Sequence, residues 1–575
     1  MNAERLLVLY EKVAEAPDAV PRLRRFVLDL AVRGKLVPQD GGDEPASELL
    51  KRIAAEKARL VKAGEIRKPK ALPPVDDEPF DLPSNWRWVR IREVTSNRGQ
   101  RVPDSDFTYI DVTAINKEAG IVAEPNVLNK DEAPSRARKI AAKDDVLYSC
   151  VRPYLLNVAI LDQDFDPAPI ASTAFAVLNG HGLVLPRYLW ITLRSPFMVE
   201  CVEENQRGQA YPAINDADFA VLPFPLPPLA EQRRIVVKVE ELMALLDRLE
   251  AARNAREATR DRLTAASLAR LTAPGTDQAD FPANARFALA TLPALTTHPD
   301  QIKPLRQTIL NLAVRGKLVE QDPTDEPASE LLKRMVKERK DTVARRKIRG
   351  ATPPKAPSAE TEGVAFPASW ELCSLGQITL ITDPNPSHRY PDYSDGTVPI
   401  LSTREFAGDG GWNPETAKLT TQAFWEFQKE ICDFAEGDII FARKGRLGLP
   451  RFLPPFEKFT FSHTLFSIKP MTGLDPNYLL WLLRRDEVVA WLTNEMNQNT
   501  GVPTLGKAKT ERLPIALPPL AEQHRIVAKV DALMALCDRL ETSLTTADTT
   551  RARLLEALLH EALTPTATPA REAAE

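Results

Sequence analysis

At 575 residues the chain has room for about four domain-sized units, and 43% apolar residues with 7% aromatics can fill several cores. A net charge of −4 and a pI near 6.1 remove any bulk attraction to polyanions, so a nucleic-acid surface would have to be local. Five cysteines (Cys150, Cys201, Cys373, Cys432, Cys537) without a CxxC pair, and no His at zinc-finger spacing, argue against a disulfide framework and a structural metal site.

The opening "MNAERLLVLYEKVAEAPDAV" is charged and amphipathic, without an apolar core or cleavage site. Nowhere do about 18 apolar residues run together. The expectation is a soluble, cytoplasmic protein in a reducing compartment, with no membrane partner.

The first predicted helical block, "LRRFVLDLAVRGKLVPQDGGDEPASELLKR" (23–52), returns without gaps as "LRQTILNLAVRGKLVEQDPTDEPASELLKR" (305–334), matching at 23 of 30 positions with an offset of 282. A second block, "LPPLAEQRRIVVKVEELMALLDRLE" (226–250), returns as "LPPLAEQHRIVAKVDALMALCDRLE" (517–541), matching at 20 of 25 with an offset of 291. The chain is therefore two units in tandem: a helical frame is kept, while the segments it encloses differ by nine residues in length and almost completely in sequence.

The chain divides into five regions: an N-terminal helical region and linker (1–81), a first insert (82–225), a central region with a long helix, the second helical block and a Pro-rich linker (226–365), a second insert (366–516), and a C-terminal long helix with its tail (517–575). The inserts open on "LPSNWRWV" and "FPASWELC" after Pro-rich stretches. Short apolar runs such as "DVLYSCV" (145–151), "GDIIFAR" (437–443) and "FTFSHTLFSIKP" (459–470), mixed with helical stretches such as "PNYLLWLLRRDEVVAWL", mark them as mixed α/β domains. The fold class is α+β.

Each "PPLAEQ" suits a helix N-terminus, since Pro lacks only an N–H that the first turn cannot use and Glu231 or Glu522 complements the dipole. In the second copy Ile526, Val530, Leu533, Cys537, Leu540, Leu544, Ala547, Leu554 and Leu558 follow a 4-3 spacing broken only at Arg551, a coiled-coil seam. The first copy keeps the seam through Ile235, Val239, Leu242, Leu246 and Leu249, then meets Arg253, Arg256 and Arg260, where its register weakens or shifts. Two equal helices of about 40 residues, roughly 60 Å long, would pack antiparallel and relate the units by a pseudo-twofold axis.

Catalytic motifs are missing. "GVPTLGKA" (501–508) fits G-x-x-x-x-G-K but puts Ala508 where a hydroxyl must ligate Mg²⁺. "LPPF" (453–456) has Leu453 where an amino-methyltransferase needs an amine-holding oxygen. ExK spacings such as Glu338–Lys340 lie on charged helix, and the histidines show no metal or triad pattern. No catalytic, cofactor-binding or metal residue is assigned.

Candidate DNA-reading groups lie in the inserts. The first offers Arg98 and Arg101 in "SNRGQR", Arg152, Tyr154 and Asn157 in "CVRPYLLN", Ser172 and Thr173 in "AST", and Gln209 and Tyr211 in "RGQAYP". The second offers His388 and Arg389 in "SHRY", Thr403 and Arg404 in "STRE", Arg443, Lys444 and Arg446 in "ARKGRLG", Ser462, His463 and Thr464 in "SHT", and Lys507. These are donors suited to phosphates and base edges, although each insert holds 15 basic and 18 acidic residues.

The double frame, the "PPLAEQ" helix heads, "LAVRGKLV…EPASELLKR" and the Trp-opened inserts together resemble the specificity subunits of type I restriction–modification enzymes, in the branch with an extra N-terminal conserved region. The resemblance implies two target-recognition domains on double-stranded DNA, each reading half of a bipartite site, and two conserved helices that set the gap. It also implies two modification subunits that hold S-adenosylmethionine and methylate adenine, and restriction subunits that use ATP and Mg²⁺. The alternative is a stand-alone bipartite DNA-binding scaffold without enzyme partners. On either reading the purified chain transfers no methyl group and cuts no DNA. Methyl transfer from S-adenosylmethionine by the chain alone, free of other subunits, would contradict this.

Overall fold

The computed structural model describes residues 8, 10–11, 14–68, 72–75, 78–208, 210–272, 280–346, 366–387, 391, 393, 396–444, 447, 449–496 and 503–563. The chain forms two compact units, residues 1–256 with 547–575 and residues 257–546. No helix among the described residues is long and apolar enough to cross a membrane.

In the first unit, helix Ala19–Val32 buries Leu23, Phe26, Val27 and Leu30, and helix Ala46–Lys62 buries Leu49, Ile53 and Leu60, both at the 3–4 spacing of one helix face. Gly34 ends the first of these with φ +66°, and a Cβ there would stand 2.4 Å from Pro83 Cγ. The insert is zipped at its ends: strand Arg87–Arg90 pairs antiparallel with Pro223–Leu226, Trp88 opposite Pro225, and Tyr188 Oη donates to Pro225 O at 2.9 Å.

The second unit repeats this with other residues. Gly316 is also at φ +66°, and a Cβ there would stand 2.4 Å from Pro367 Cγ. Strand Glu371–Ser374 pairs with Pro514–Leu517, and Tyr478 Oη donates to Ala516 O at 2.9 Å.

The repeated hexapeptide has its reason here. Glu231 is fully buried at the head of helix Leu229–Thr272 and accepts hydrogen bonds from Trp86 Nε1 at 2.9 Å and Gln39 Nε2 at 2.5 Å. Its neighbour Gln232 accepts from Leu185 N at 2.9 Å and donates to Pro227 O at 3.2 Å, while Arg234 pairs with Asp43 at 2.6 Å. In the second unit Glu522, at the head of helix Leu520–Leu563, accepts from Trp370 at 2.9 Å and Gln321 at 2.5 Å. Gln523 accepts from Asp475 N at 2.8 Å, and Arg525 pairs with Asp325 at 2.7 Å. Each carboxylate thus fastens the helical block, the start of the insert and the long helix to one point.

Both long helices have 44 residues. Each starts in one unit and ends in the other, the change falling at 256/257 in the first and 546/547 in the second. In the second helix the buried face departs from the 4-3 reading. Ile526, Val530 and Cys537 are buried, but Leu540 and Leu554 are exposed and Leu555 is buried in place of Leu554. A helix with 3.6 residues per turn drifts by about 20° per heptad. Four heptads move the stripe by nearly one residue, which brings Leu555 to the face of Ile526. In the first helix the register shifts by one residue at the arginines, as expected there: Arg256 and Leu263 are exposed, and Glu257 and Thr264 turn inward instead. The shifted stripe continues through Thr264, Ser267, Leu268 and Leu271, and Arg253, the last residue of the original seam, donates to Ala16 O at 3.2 Å.

Within the first insert a five-stranded sheet runs in the order Phe175–Leu178, Val146–Ser149, Val158–Ile160, Ile121–Val122, Ile115–Asn116, and a four-stranded sheet in the order Asn126–Leu128, Phe107–Ile110, Pro169–Ser172, Ala137–Ile140. The second insert orders Thr379–Thr382, Leu465–Pro470, Ile439–Ala442, Arg451–Phe452 in one sheet and Lys418–Thr420, Val398–Leu401, Thr460–Phe461 in another. The run at 459–470 is thus two strands joined by a turn. Where the first insert closes its smaller sheet with Ala137–Ile140, the second places helix Gln422–Cys432. There the Gln428 carboxamide donates to Phe461 O at 2.7 Å and accepts from Phe461 N at 2.8 Å, replacing the missing strand.

Burial raises the carboxyl pKa of Glu231 and Glu522 above the usual 4.5, against hydrogen bonds that lower it. The folded state therefore holds the proton to higher pH than the unfolded chain, and this group's contribution to stability falls as pH rises above about 4.5. Glu231→Gln should remove that dependence and leave stability at pH 7.5 nearly unchanged, because the amide still accepts from Trp86 and Gln39 can turn its oxygen toward the new N–H. Glu231→Ala strands two donors and should cost about 1–3 kcal/mol for each. Thermal unfolding checks both; equal stability of the two variants would contradict the clamp.

Candidate nucleic-acid interface

Three segments that are distant in sequence converge in the first insert. After strand Val146–Ser149, Cys150 N donates to Ala174 O at 2.8 Å and Ile214 N to Cys150 O at 3.0 Å, while Val151 bridges Ala213. These bonds bring 150–157, 172–174 and 207–213 together at one sheet end. Arg152 is exposed, its guanidinium 4.9 Å from the centroid of the exposed Tyr211 ring, and Tyr154 is exposed beside it in sequence. Thr173 is exposed, with its N–H bound to Arg136 O at 2.8 Å. Ser172 is buried, its hydroxyl 3.3 Å from Ala174 N. Asn157 uses its carbonyl to accept from Ser149 N at 3.0 Å.

The second insert repeats the arrangement with different side chains. Arg443 N donates to Thr464 O at 2.9 Å and Lys444 bridges Thr504, in the places of Cys150–Ala174 and Val151–Ala213. Ser462, His463 and Thr464 stand where the first insert has Ser172, Thr173 and Ala174, each triplet following a strand that pairs parallel with the insert's central strand. Ser462 Oγ and Thr464 Oγ1 are 2.6 Å apart.

A cleft in the second insert joins this triplet to Arg404, Lys418, Tyr393 and Asn385. Its floor is the buried Glu405, which accepts from Ser402 N at 2.8 Å and Ser402 Oγ at 2.7 Å. That capping box turns Thr403 and Arg404 away from the core. Lys418 Nζ lies 4.9 Å from the centroid of the Tyr393 ring. Lys418, Tyr393 and Asn385 were not among the sequence candidates, since each is single within its segment and gains meaning only from its neighbours in space.

One candidate serves the scaffold, and three others lie near carboxylates of their own unit. Arg443 is buried: its guanidinium pairs with Asp383 at 2.6 Å, donates to Leu505 O at 3.2 Å and covers Phe466. A duplex cannot reach it, so the reading of this arginine as a phosphate or guanine contact is corrected. Arg98 is held at 2.8 Å by the buried Asp145, which also accepts from Asn179 at 2.6 Å. Arg101 lies 3.9 Å from Asp104 and Lys507 lies 3.9 Å from Glu511. Gln209, His388, Arg389 and Arg446 lie outside the described residues. Burial pushes the thiols of Cys150 and Cys201 up to about 12, which keeps them protonated and poor nucleophiles.

Arg443→Ala removes the cation that faces Asp383 in a largely buried site and should cost about 3–5 kcal/mol. Arg152→Ala, on an exposed loop, should leave the melting temperature unchanged and weaken DNA binding. A melting curve and a binding isotherm for each variant separate the two roles; an unshifted melting curve for Arg443→Ala would return that residue to the interface.

A family model described as the type I restriction modification DNA specificity domain matches this chain twice, at residues 83–256 and 367–547. The specificity subunit of the type I restriction enzyme EcoAI of Escherichia coli is 30% identical over 568 residues, covering 95% of this chain and 94% of that protein. The EcoEI specificity subunit, also of Escherichia coli, is 30% identical over 561 residues, with 95% and 94% covered. A chain solved in work on complex assembly and conformational transition of the type I R-M system aligns with a TM-score of 0.51 at 25% identity, over 84% of this chain and 99% of that one. On the two matched domains and the near full-length relatives, this chain belongs to the specificity subunits of type I restriction–modification enzymes.

Proposed function

We infer that this chain reads a bipartite DNA target, one half-site through each insert, for a type I restriction–modification complex. One observation carries the reading: equivalent backbone bonds hold Cys150 and Val151 in one insert and Arg443 and Lys444 in the other, while the side chains around them differ at nearly every position. A fixed scaffold with a varied surface is what two readers of unlike sequences require. The chain's own part is recognition and positioning. S-adenosylmethionine, ATP and Mg²⁺ are assigned to partners, two modification subunits and the restriction subunits, and the complex works in the cytoplasm.

The two long helices are read as an antiparallel pair that spaces the readers. Support comes from each unit holding the head of one helix and the tail of the other. In the first unit Leu246 of one helix and Leu559 and Leu563 of the other belong to the same apolar core.

Exchanging residues 82–225 for the matching segment of a relative should change one half-site and preserve the other, as methylation mapping would show. A change in both halves would contradict independent readers. Four helical residues inserted at 256/257 and at 546/547 add about 6 Å of helix and rotate the downstream portion by roughly 40°. At about 3.4 Å per base pair the spacer should lengthen by no more than about two pairs. Unchanged spacing with altered bases would refute the ruler.

A further inference from the structure

The loops at the first insert's sheet end expose an unusual amount of apolar surface. Val151, Tyr154, Leu155 and Tyr211 are 42%, 51%, 38% and 69% exposed. Clustered exposure of this kind marks a binding surface rather than ordinary scatter. The short 3₁₀ turn Pro153–Leu155 is bracketed by two left-handed residues that are not glycine, Arg152 at φ 49° and Leu156 at φ 53°. That is a costly backbone conformation, retained where the surroundings enforce it and where function uses it. Pro153 is buried, and Arg152 N is tied to Pro212 O at 2.8 Å, so the turn is anchored on its inner side while Tyr154 and Leu155 face outward.

Electrostatics favour a nucleic acid over a protein as the occupant. Neither 150–157 nor 206–213 contains an acidic residue. Arg207 is engaged by Asp218 at 3.0 Å, whereas Arg152 has no carboxylate partner among the described residues and lies against the Tyr211 ring. The corresponding stretches of sequence in the second insert, 444–450 and 497–506, contain no aromatic residue.

We propose that Tyr154 and Tyr211 form an aromatic wedge that stacks on bases of the first half-site and opens the base stack there, with Arg152 placed to meet the adjoining phosphate. This rests on the reading that the first insert binds a DNA half-site. Two exposed rings on adjoining loops, one of them against a guanidinium that has no carboxylate partner among the described residues, supply the stacking surface and the charge that such contacts use. The second insert has no ring at the corresponding positions, and Tyr393 in its interface is half-buried in the cleft, so the second half-site should be read with its stack intact.

The test uses the full chain assembled with its methyltransferase subunits, without S-adenosylmethionine. It is bound to duplexes carrying 2-aminopurine in turn at each position of either half-site except the methylated adenines. Fluorescence should rise at one or two positions of the first half-site and at none of the second. Tyr154→Ala or Tyr211→Ala should abolish the rise and weaken specific binding by roughly 5- to 150-fold, while Tyr154→Phe and Tyr211→Phe keep both. A flat signal at every position, or an unchanged signal and affinity in both alanine variants, would overturn the wedge while leaving the half-site reading intact. Loss of subunit assembly in Tyr154→Ala, with DNA binding kept, would make the turn a protein-docking surface and also overturn it. Absence of any sequence-specific binding by the unaltered assembly would overturn the reading of the first insert, and the wedge with it.

Discussion

A single buried carboxylate at the head of each long helix, Glu231 and Glu522, does what no run of apolar contacts could do. It fixes three separate stretches of chain at one point with directional bonds to an indole N–H and a carboxamide. Removing a carboxylate from water is costly unless its oxygens are satisfied, and here they are satisfied only when the helical block, the insert's opening Trp and the long helix have all arrived. The interaction is weak evidence for stability and stronger evidence for geometry. It specifies where the insert leaves the frame and at what angle to the helix.

The strands that zip the insert's ends extend that constraint outward. Arg87–Arg90 with Pro223–Leu226, and Glu371–Ser374 with Pro514–Leu517, bring entry and exit together beside the clamp. Everything between can then change without disturbing the frame, as it has. A strand in one insert is a helix in the other, with Gln428 supplying the hydrogen bonds of the lost strand. The loops that carry Arg152 and Tyr211 in one unit, and Lys444 and Thr504 in the other, stay in equivalent places because the bridges beneath them are backbone bonds. Side chains there are free to follow a target.

Much of this was legible in the sequence, because duplication marks what is constrained. The two repeated blocks contain the clamp residues Gln39, Glu231, Gln321 and Glu522, and the Trp-opened insert starts supply Trp86 and Trp370. The 3–4 spacing of Leu23, Phe26, Val27 and Leu30 exposes a buried face by itself. Long-range pairing was not legible. Arg443 in a basic, glycine-rich loop looks like a phosphate contact until Asp383, sixty residues earlier, is found against it. A 4-3 spacing points to Leu554 in the second long helix, but Leu555 is the buried residue, because a seven-residue repeat and a 3.6-residue turn part company over four heptads. Tyr393 and Lys418 carry no sequence signal and meet only through the fold.

The central claim is that two independent readers hang from equivalent clamps on one frame. The most direct measurement is methylation mapping of a complex whose specificity chain has residues 367–516 replaced by a second copy of residues 83–225. With two identical readers in equivalent settings, the account predicts a target made of the first half-site repeated in inverted orientation around a spacer. An unchanged asymmetric target, or the first half-site recurring in direct orientation, would contradict it.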